Sequence, residues 1–163
     1  MFGVINMYEA KKISDSKTTQ VQILMSADIN GSKRLFGGRL MEWIDIVAAV
    51  VARRHSNLEV TTASVDNLQF KAAAYINSTI ILKGKMTYVG TTSMEVKVDT
   101  FVEELSGERC LVNSAYVVMV ALDTDNKPKR VPRLILETDE DKKEWEAGKR
   151  RHDLRKQRRV EDF

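Results

Sequence analysis

The segment from Asp28 to Asp45 holds the residues best suited to chemistry, because a turn-rich loop ends there in a glycine pair and runs directly into a helix. Gly37 and Gly38 let another group approach the backbone closely, since neither has a side chain. The first amides of a helix have no intrahelical acceptor, and the positive end of the helix dipole favours negative charge. A carbonyl oxygen that gains negative charge in a reaction could therefore be held at this helix start.

Asp45 is the candidate carboxylate of such a site. It lies two helical turns after Gly38, so both residues project from about the same face. Its neighbours Ile44, Ile46 and Val47 are apolar, and burying a carboxylate among them costs several kcal/mol unless it is paired. Three interpretations stay open. Asp45 is a catalytic base or nucleophile, a structural group bonded to a serine, threonine or backbone across an interface, or an exposed residue.

An asparagine, a histidine and a cysteine are the other candidates, each with a simpler structural interpretation. Asn30 precedes a glycine, a common turn signal, and its functional alternative is an amide that polarises a carbonyl or positions water. His55 ends the helix after two arginines, where we expect a C-terminal charge rather than a base. Cys110 lies in a strand-like run and is expected to be a buried, inert thiol. The sequence has no zinc-type Cys/His spacing.

The elements that position these residues follow from the spacing of apolar side chains. Between Arg39 and about His55 they recur every three or four residues, which predicts a largely buried helix. Alternating or β-branched runs predict five strands, at Thr18–Met25, Val60–Phe70, Ser78–Val89, Thr92–Glu103 and Arg109–Leu122. The order of strand, helix and four antiparallel strands indicates an α+β domain with one helix against a curved sheet.

Composition limits the class of protein. The 163 residues, 43% of them hydrophobic, fit one domain with a real core. The longest apolar run contains Asp45 and is too short to span a bilayer. The formal charge of +3 favours anionic ligands without requiring nucleic acid. A single cysteine cannot form an internal disulfide, so we expect a cytoplasmic protein. From the short apolar run and the small charge we expect no membrane and no nucleic-acid partner.

The two ends of the chain differ from its middle. Residues 1–17 form a polar lead-in without the apolar run of a signal peptide. Residues 134–163 form a charged, helix-favouring tail with a basic second half. A solvated helix is the favoured interpretation of this tail. A role in gripping an anionic ligand or a neighbouring subunit is the first alternative, and RNA binding ranks last because the tail has almost no aromatic residues. We expect deletion after about Glu140 to leave folding and catalysis intact.

The pattern from Asp28 to Asp45 closely resembles the acyl-CoA thioesterases of the hotdog superfamily, the group related to brain acyl-CoA hydrolase and its short bacterial homologues. The resemblance covers roughly residues 18–133. It is carried by Asp28-x-Asn30, Leu35-Phe36-Gly37-Gly38 and Leu40-Met41-Glu42-Trp43-Ile44-Asp45, with support from Phe70-Lys71, Gly90-Thr91-Thr92-Ser93-Met94 and Lys127-Pro128-Lys129-Arg130-Val131-Pro132. Lys33 and Ser32 depart from the family, which often has glycine and asparagine there. Ala72 stands where proline often follows.

The resemblance implies a hotdog fold, in which a long helix is wrapped by an antiparallel sheet, and it implies roles for three residues. Asp45 would activate water or attack the thioester, and Asn30 with the amide of Gly38 would hold the thioester oxygen. The reaction would convert acyl-CoA and water to a carboxylic acid and CoA, with no cofactor and no metal. A lower-ranked set of substrate contacts comprises Gly37, Gly90, Thr91, Thr92 and Ser93.

The resemblance also implies an assembly. Protomers would pair their sheets edge to edge into a homodimer, as such or as a trimer of dimers (a hexamer), with Asn30 and Asp45 of one site supplied by different subunits. Lys127, Lys129 or Arg130 could hold the CoA phosphates. A non-catalytic acyl-CoA sensor is the main rival. A hotdog dehydratase ranks below it, because neither histidine of the sequence lies near the helix start.

Overall fold

The computed structural model describes residues 9–162 and contains two long helices and a five-stranded antiparallel sheet. The strands are β1 (Lys11–Lys12), β2 (Thr18–Ile23), β3 (Glu59–Phe70), β4 (Thr79–Val89), β5 (Ser93–Glu103), β6 (Arg109–Leu122) and β7 (Leu134–Ile135), and the helices are α1 (Gly37–Ser56) and α2 (Asp139–Glu161). The predicted α+β arrangement, one long helix against an antiparallel sheet, is confirmed. None of the helices within residues 9–162 is long and apolar enough to cross a membrane.

The sheet runs in the order β2-β4-β5-β6-β3, so β2 and β3 form its two edges. Every pairing in it is antiparallel. The short strand β1 pairs in parallel with β7 and brings the predicted lead-in against the chain that follows the sheet. Residues 1–8 of that lead-in lie outside the described residues.

Helix α1 packs on one face of the sheet through its apolar stripe. The buried residues of this stripe recur about once per helical turn and include Trp43, Ile44, Val47 and Val51. The helix lies very close to β4 at Gly84, where an added Cβ would stand 2.7 Å from Val47 and 2.9 Å from Val51. Gly84 therefore lets the helix approach the sheet more closely than any other residue would allow.

Helix α2 packs on the opposite face of the sheet through a buried ionic cluster. Glu95 of β5 is 1% exposed and accepts hydrogen bonds from Thr87 Oγ1 at 2.7 Å and Arg151 Nη2 at 2.8 Å. Arg155 Nη1 lies 3.0 Å from Glu95 and 2.7 Å from Asp66 of β3. These contacts contradict the interpretation of this segment as a solvated helix, because its arginines neutralise carboxylates of the sheet.

Two expectations about single residues are wrong. His55 is not a helix-end charge: it is fully buried, its Nε2 donates to the Pro132 carbonyl at 2.9 Å, and burial lowers its pKa. The chain after β6 covers this helix end and removes the imidazole from water. Cys110 is exposed rather than buried. It is the second residue of β6, at the end of the sheet beside the β5–β6 hairpin.

The loop before α1 is a tight, hydrogen-bonded turn. Asn30 N donates to the Arg34 carbonyl at 2.8 Å, and Lys33 N donates to the Asn30 carbonyl at 2.9 Å. Closing this turn places Lys33 in the left-handed region, with φ of 59°. Side chains other than glycine are strained there. A glycine at this position would adopt the same conformation without strain.

Substitution of the two arginines tests the ionic cluster. Arg151→Gln/Arg155→Gln leaves Glu95 covered by α2 without its cations, and we expect the free energy of unfolding to fall by at least about 3 kcal/mol, because an unpaired buried carboxylate is costly. Urea unfolding measures the change. Adding Glu95→Gln to this variant should restore part of the loss, whereas Glu95→Gln alone should destabilise the parent. An unchanged unfolding midpoint in the arginine variant would contradict this account. The same contacts make deletion after about Glu140 destabilising, contrary to the expectation from the sequence.

Substitution of Lys33 tests the strained loop. Lys33→Gly should raise the free energy of unfolding by roughly 0.5–1 kcal/mol, because relief of a left-handed penalty of about 1–2 kcal/mol exceeds the added entropy of the unfolded chain. Ser32→Gly is the matched control at an exposed neighbour whose φ is not positive, and it should be destabilising. Urea unfolding measures the free energy of unfolding. An equal decrease in both variants would refute the proposal that Lys33 is strained.

Candidate active site

The start of α1 offers free backbone donors. Phe36 is the N-cap and provides no side-chain acceptor, and the first helical hydrogen bond is from Leu40 N to the Phe36 carbonyl at 3.1 Å. The amides of Gly37, Gly38 and Arg39 consequently have no hydrogen-bond acceptor among residues 9–162. Together with the helix dipole they form a site for a developing oxyanion.

Two aromatic rings flank the glycine pair. A Cβ on Gly38 would stand 2.6 Å from the ring of Phe36, and one on Gly37 would stand 3.3 Å from the ring of Phe70. Both rings are 55% exposed in the single chain. The helix start is therefore a narrow backbone surface between two phenylalanines.

Asn30 presents its amino group as a donor. Its Oδ1 accepts hydrogen bonds from Ser32 N at 2.9 Å and Arg34 N at 3.2 Å. Two amide donors can be satisfied only by the oxygen of the side-chain amide, so the NH₂ group points away from the turn. Within residues 9–162 no acceptor is hydrogen-bonded to this group. The turn signal and the functional interpretation of Asn30 are thus compatible, since the turn orients the donor.

Asp45 is exposed on the free side of α1, and its carboxylate is held by β3. Thr62 Oγ1 donates to Asp45 Oδ1 at 2.5 Å. The carboxylate borders a mostly apolar cavity of about 320 Å³, called here the Asp45 cavity. Its lining comprises Gly38, Met41, Glu42, Ile44, Asp45, Val65, Leu68 and Val117. The structure therefore brings Asp45 and the Gly38 helix start to one cavity.

Thr62 was not among the candidates from the sequence. A single threonine in a β-branched strand gives no local sign of function, and only the packing of β3 beside α1 places its hydroxyl at Asp45. The signal that pointed toward it was Asp45 itself, since a carboxylate on an apolar helix requires a hydrogen-bond partner.

Asn30 lines a second cavity of about 350 Å³, called here the Asn30 cavity. Its lining also includes Arg34, Phe70, Lys71 and the three alanines 72–74. Among the described residues the Asn30 and Asp45 cavities share no lining residue. In a single chain, Asn30 and Asp45 accordingly face separate spaces.

The other predicted contacts lie elsewhere. The turn from Gly90 to Ser93 lines neither cavity, and its backbone is used within the fold: Gly90 N donates to the Ser93 carbonyl at 2.8 Å, and the Gly90 carbonyl accepts from Arg133 at 2.9 Å. The carbonyls of Thr91 and Thr92 accept from Val131 N and Ala121 N, both at 3.0 Å. Lys129 lines a separate cavity at the C-terminal end of α1.

The donor set suits acyl transfer from an ester-like carbonyl. A carboxylate and amide donors around an apolar cavity can activate water and stabilise a tetrahedral oxyanion. Among residues 9–162, no three His, Cys, Asp or Glu side chains approach closely enough to hold a metal ion.

Comparisons with known proteins identify the family and the fold of the chain. A profile of the thioesterase superfamily matches residues 33–107. YkhA of Bacillus subtilis, named as an uncharacterised acyl-CoA thioester hydrolase, is 38% identical over 134 residues, covering 82% of this chain and 78% of YkhA. A crystal structure of a hexameric acyl-CoA thioesterase without ligand superposes with a TM-score of 0.88 at 36% identity and covers 92% of this chain and 97% of its own.

The acyl-CoA hydrolase of Staphylococcus aureus is a further similar structure. Its complex with butyryl-CoA, CoA and CoA disulfide has a TM-score of 0.89 at 33% identity, covering 94% of both chains. Variants of that enzyme in which an asparagine, an aspartate or a threonine is replaced by alanine have also been solved. The chain belongs to the thioesterase superfamily, and it is a thioester hydrolase with the hotdog fold.

Proposed function

We propose that this enzyme hydrolyses acyl-CoA to a carboxylic acid and CoA, with Asp45 as its catalytic carboxylate. The observation that carries the proposal is the hydrogen bond from Thr62 Oγ1 to Asp45 Oδ1, which fixes the carboxylate beside an apolar cavity bordered by Gly38. The similar proteins named as acyl-CoA hydrolases, and the butyryl-CoA complex of the Staphylococcus aureus enzyme, support acyl-CoA as the substrate class.

In the proposed mechanism, the thioester oxygen accepts hydrogen bonds from the Gly38 amide and the Asn30 amino group, which stabilise the developing negative charge. Asp45 takes a proton from the attacking water or itself attacks the carbonyl carbon. The carbon–sulfur bond then breaks, and CoA leaves as a thiolate. Where Asp45 is the nucleophile, water next hydrolyses the acyl–Asp45 anhydride, which releases the carboxylic acid and restores the carboxylate. Thr62 positions the carboxylate by donating to one of its oxygens, leaving the other oxygen for the reaction.

The residue spacing of a relative supports these roles. The asparagine, aspartate and threonine that were replaced in the Staphylococcus aureus enzyme have the same spacing along the chain as Asn30, Asp45 and Thr62. The proposed set therefore coincides with three positions at which that enzyme was altered.

The proposed assembly is a homodimer, repeated three times in a hexamer. Strand β3 is an edge strand, and its Val65 is 40% exposed. On the adjacent helix α1, Met41 is 45% exposed and Ile46 is 48% exposed. An open strand edge next to exposed apolar side chains favours pairing with a second copy. The separation of Asn30 and Asp45 into two cavities fits a site to which each protomer contributes one of them. A hexameric relative supports the larger assembly.

The proposed compartment is the cytoplasm, because the sequence contains one cysteine, Cys110, and cannot form an internal disulfide.

Replacement of Asp45 by asparagine tests the mechanism. Asp45→Asn keeps the shape and an acceptor for Thr62 but removes the charge, so turnover should fall by at least about 100-fold. The melting temperature should stay close to that of the parent, because Asp45 is exposed in the single chain. Release of CoA, followed with a thiol reagent, measures turnover across short, medium and long acyl-CoAs.

Two companion variants sharpen this test. Thr62→Val removes the hydroxyl while keeping the β-branched shape, and turnover should fall by at least about tenfold, because a hydrogen bond to a charged group contributes roughly 1.5–3 kcal/mol. Asp153→Asn removes an exposed carboxylate on α2 and should have no effect. Normal turnover by a folded Asp45→Asn protein would refute the mechanism. Tight acyl-CoA binding without hydrolysis by the parent would favour the sensor.

Chelation tests the proposal that no metal takes part. Activity should be unchanged after dialysis against a strong chelator, because a carboxylate and amide donors suffice for the proposed steps. An assay before and after dialysis checks this. A loss of activity that an added divalent metal restores would show that the proposal omits a metal ion.

A further inference from the structure

The Asn30 cavity contains two cations that no acidic residue neutralises. Arg34 and Lys71 both line it and are exposed. Within residues 9–162 neither forms an ion pair, and no carboxylate belongs to the cavity lining. By contrast, the nearby Arg39 pairs with Asp28 at 3.2 Å and with Glu42 at 2.6 Å. An unpaired arginine and lysine at one opening attract an anion.

The remaining lining of the Asn30 cavity suits an uncharged arm. Phe70 presents a half-exposed ring, and the alanines at positions 72–74 leave space beside it. Asn30 itself supplies an amide donor. The cavity thus combines an apolar and amide-bearing interior with cations that can reach beyond its mouth.

The Asp45 cavity has the opposite character. Its lining is mostly apolar, and its two charged members are the carboxylates Glu42 and Asp45. Phosphate groups would be repelled there, whereas an acyl chain would gain from burial against Val65, Leu68 and Val117.

The cavity with Lys129 is one rival place for phosphates. It is lined by Arg53 and Lys129 but also by Glu59 and Asp123. Arg53 Nη2 already lies 2.7 Å from Glu59 Oε1. The four charges cancel, so this cavity gives an anion little advantage over water.

We propose that the Asn30 cavity binds the CoA part of the substrate, with Arg34 and Lys71 holding its phosphate groups. The inference rests on the proposed function and adds the orientation of the substrate between the two cavities. The pantetheine arm occupies the cavity, the phosphates lie at its mouth, and the acyl chain enters the Asp45 cavity. Arginine can bind phosphate through two parallel N–H donors, and lysine adds a point charge. The assignment holds whichever protomer supplies Asp45, because Arg34 and Lys71 share a wall with Asn30.

The test compares substrates with and without phosphates. The variant Arg34→Gln/Lys71→Gln should raise the KM for butyryl-CoA by about tenfold or more, since a charge-assisted hydrogen bond is worth roughly 1.5–3 kcal/mol, with kcat nearly unchanged. The KM for S-butyryl pantetheine, which has no phosphate, should be the same in variant and parent. Increasing salt should raise the KM of the parent for butyryl-CoA only.

The matched control removes one lysine and one arginine elsewhere. Lys143→Gln/Arg159→Gln changes two exposed residues of α2 and should leave both KM values unchanged. An unchanged KM for butyryl-CoA in the Arg34/Lys71 variant would overturn the inference, as would an equal rise for both substrates. So would a rise produced by Lys129→Gln alone.

Calorimetry separates failure of the inference from failure of the proposed function. CoA and pantetheine can be titrated into parent and variant without any turnover. A selective loss of CoA affinity in the variant supports the phosphate site even if the parent hydrolyses no acyl-CoA. Absence of hydrolysis by the parent would refute only the proposed function. Equal CoA affinity in both proteins counts against the phosphate site.

Discussion

The close contact between α1 and the sheet at Gly84 determines where the reactive groups lie. Val47 and Val51 fill the space that a side chain at position 84 would need. Asp45 precedes Val47 by two residues, or about 200° of helical rotation, so packing Val47 on β4 turns Asp45 away from β4, and Thr62 of the edge strand β3 binds its carboxylate. Gly38 lies two turns before Asp45 and shares its face. One packing contact thus fixes the positions of both the Asp45 carboxylate and the backbone donors at Gly38.

The ionic cluster under α2 shows that charged composition need not indicate a solvated segment. Glu95 and Asp66 stand on the sheet face opposite α1, and Arg151 and Arg155 of α2 neutralise them. Gly148 lets α2 approach closely, since a Cβ there would stand 2.7 Å from Tyr88. The two helices are therefore held on the sheet differently: α1 packs through apolar side chains, and α2 through paired charges together with aromatic contacts such as that of Tyr88 with Trp145.

Local signals account for what could be predicted. The helix and the five sheet strands follow from the spacing of apolar residues. Asp45 stands out as a carboxylate on an apolar helix, whereas the roles expected of Asn30 and Gly38 come from the resemblance to the hotdog thioesterases. Thr62, the burial of His55 and the exposure of Cys110 depend on which strand lies beside which helix. So does the burial of Glu95, whose arginine partners lie more than 50 residues away in the chain. Side-chain alternation alone does not specify these long-range neighbours.

The turn that orients Asn30 also places it before Gly31, in a sequence that is prone to deamidation. In an Asn-Gly pair the glycine nitrogen can attack the side-chain carbonyl carbon, because glycine offers little steric resistance; ammonia is lost, and water then opens the resulting succinimide ring to leave an acidic residue. Space around Gly31 is open, with no atom within 4 Å of where a Cβ would stand. An aspartate at position 30 would present acceptors where the thioester oxygen needs a donor. Ageing of the protein would thus silence the site without unfolding it, at a rate governed by how firmly the amides of Ser32 and Arg34 hold the side chain.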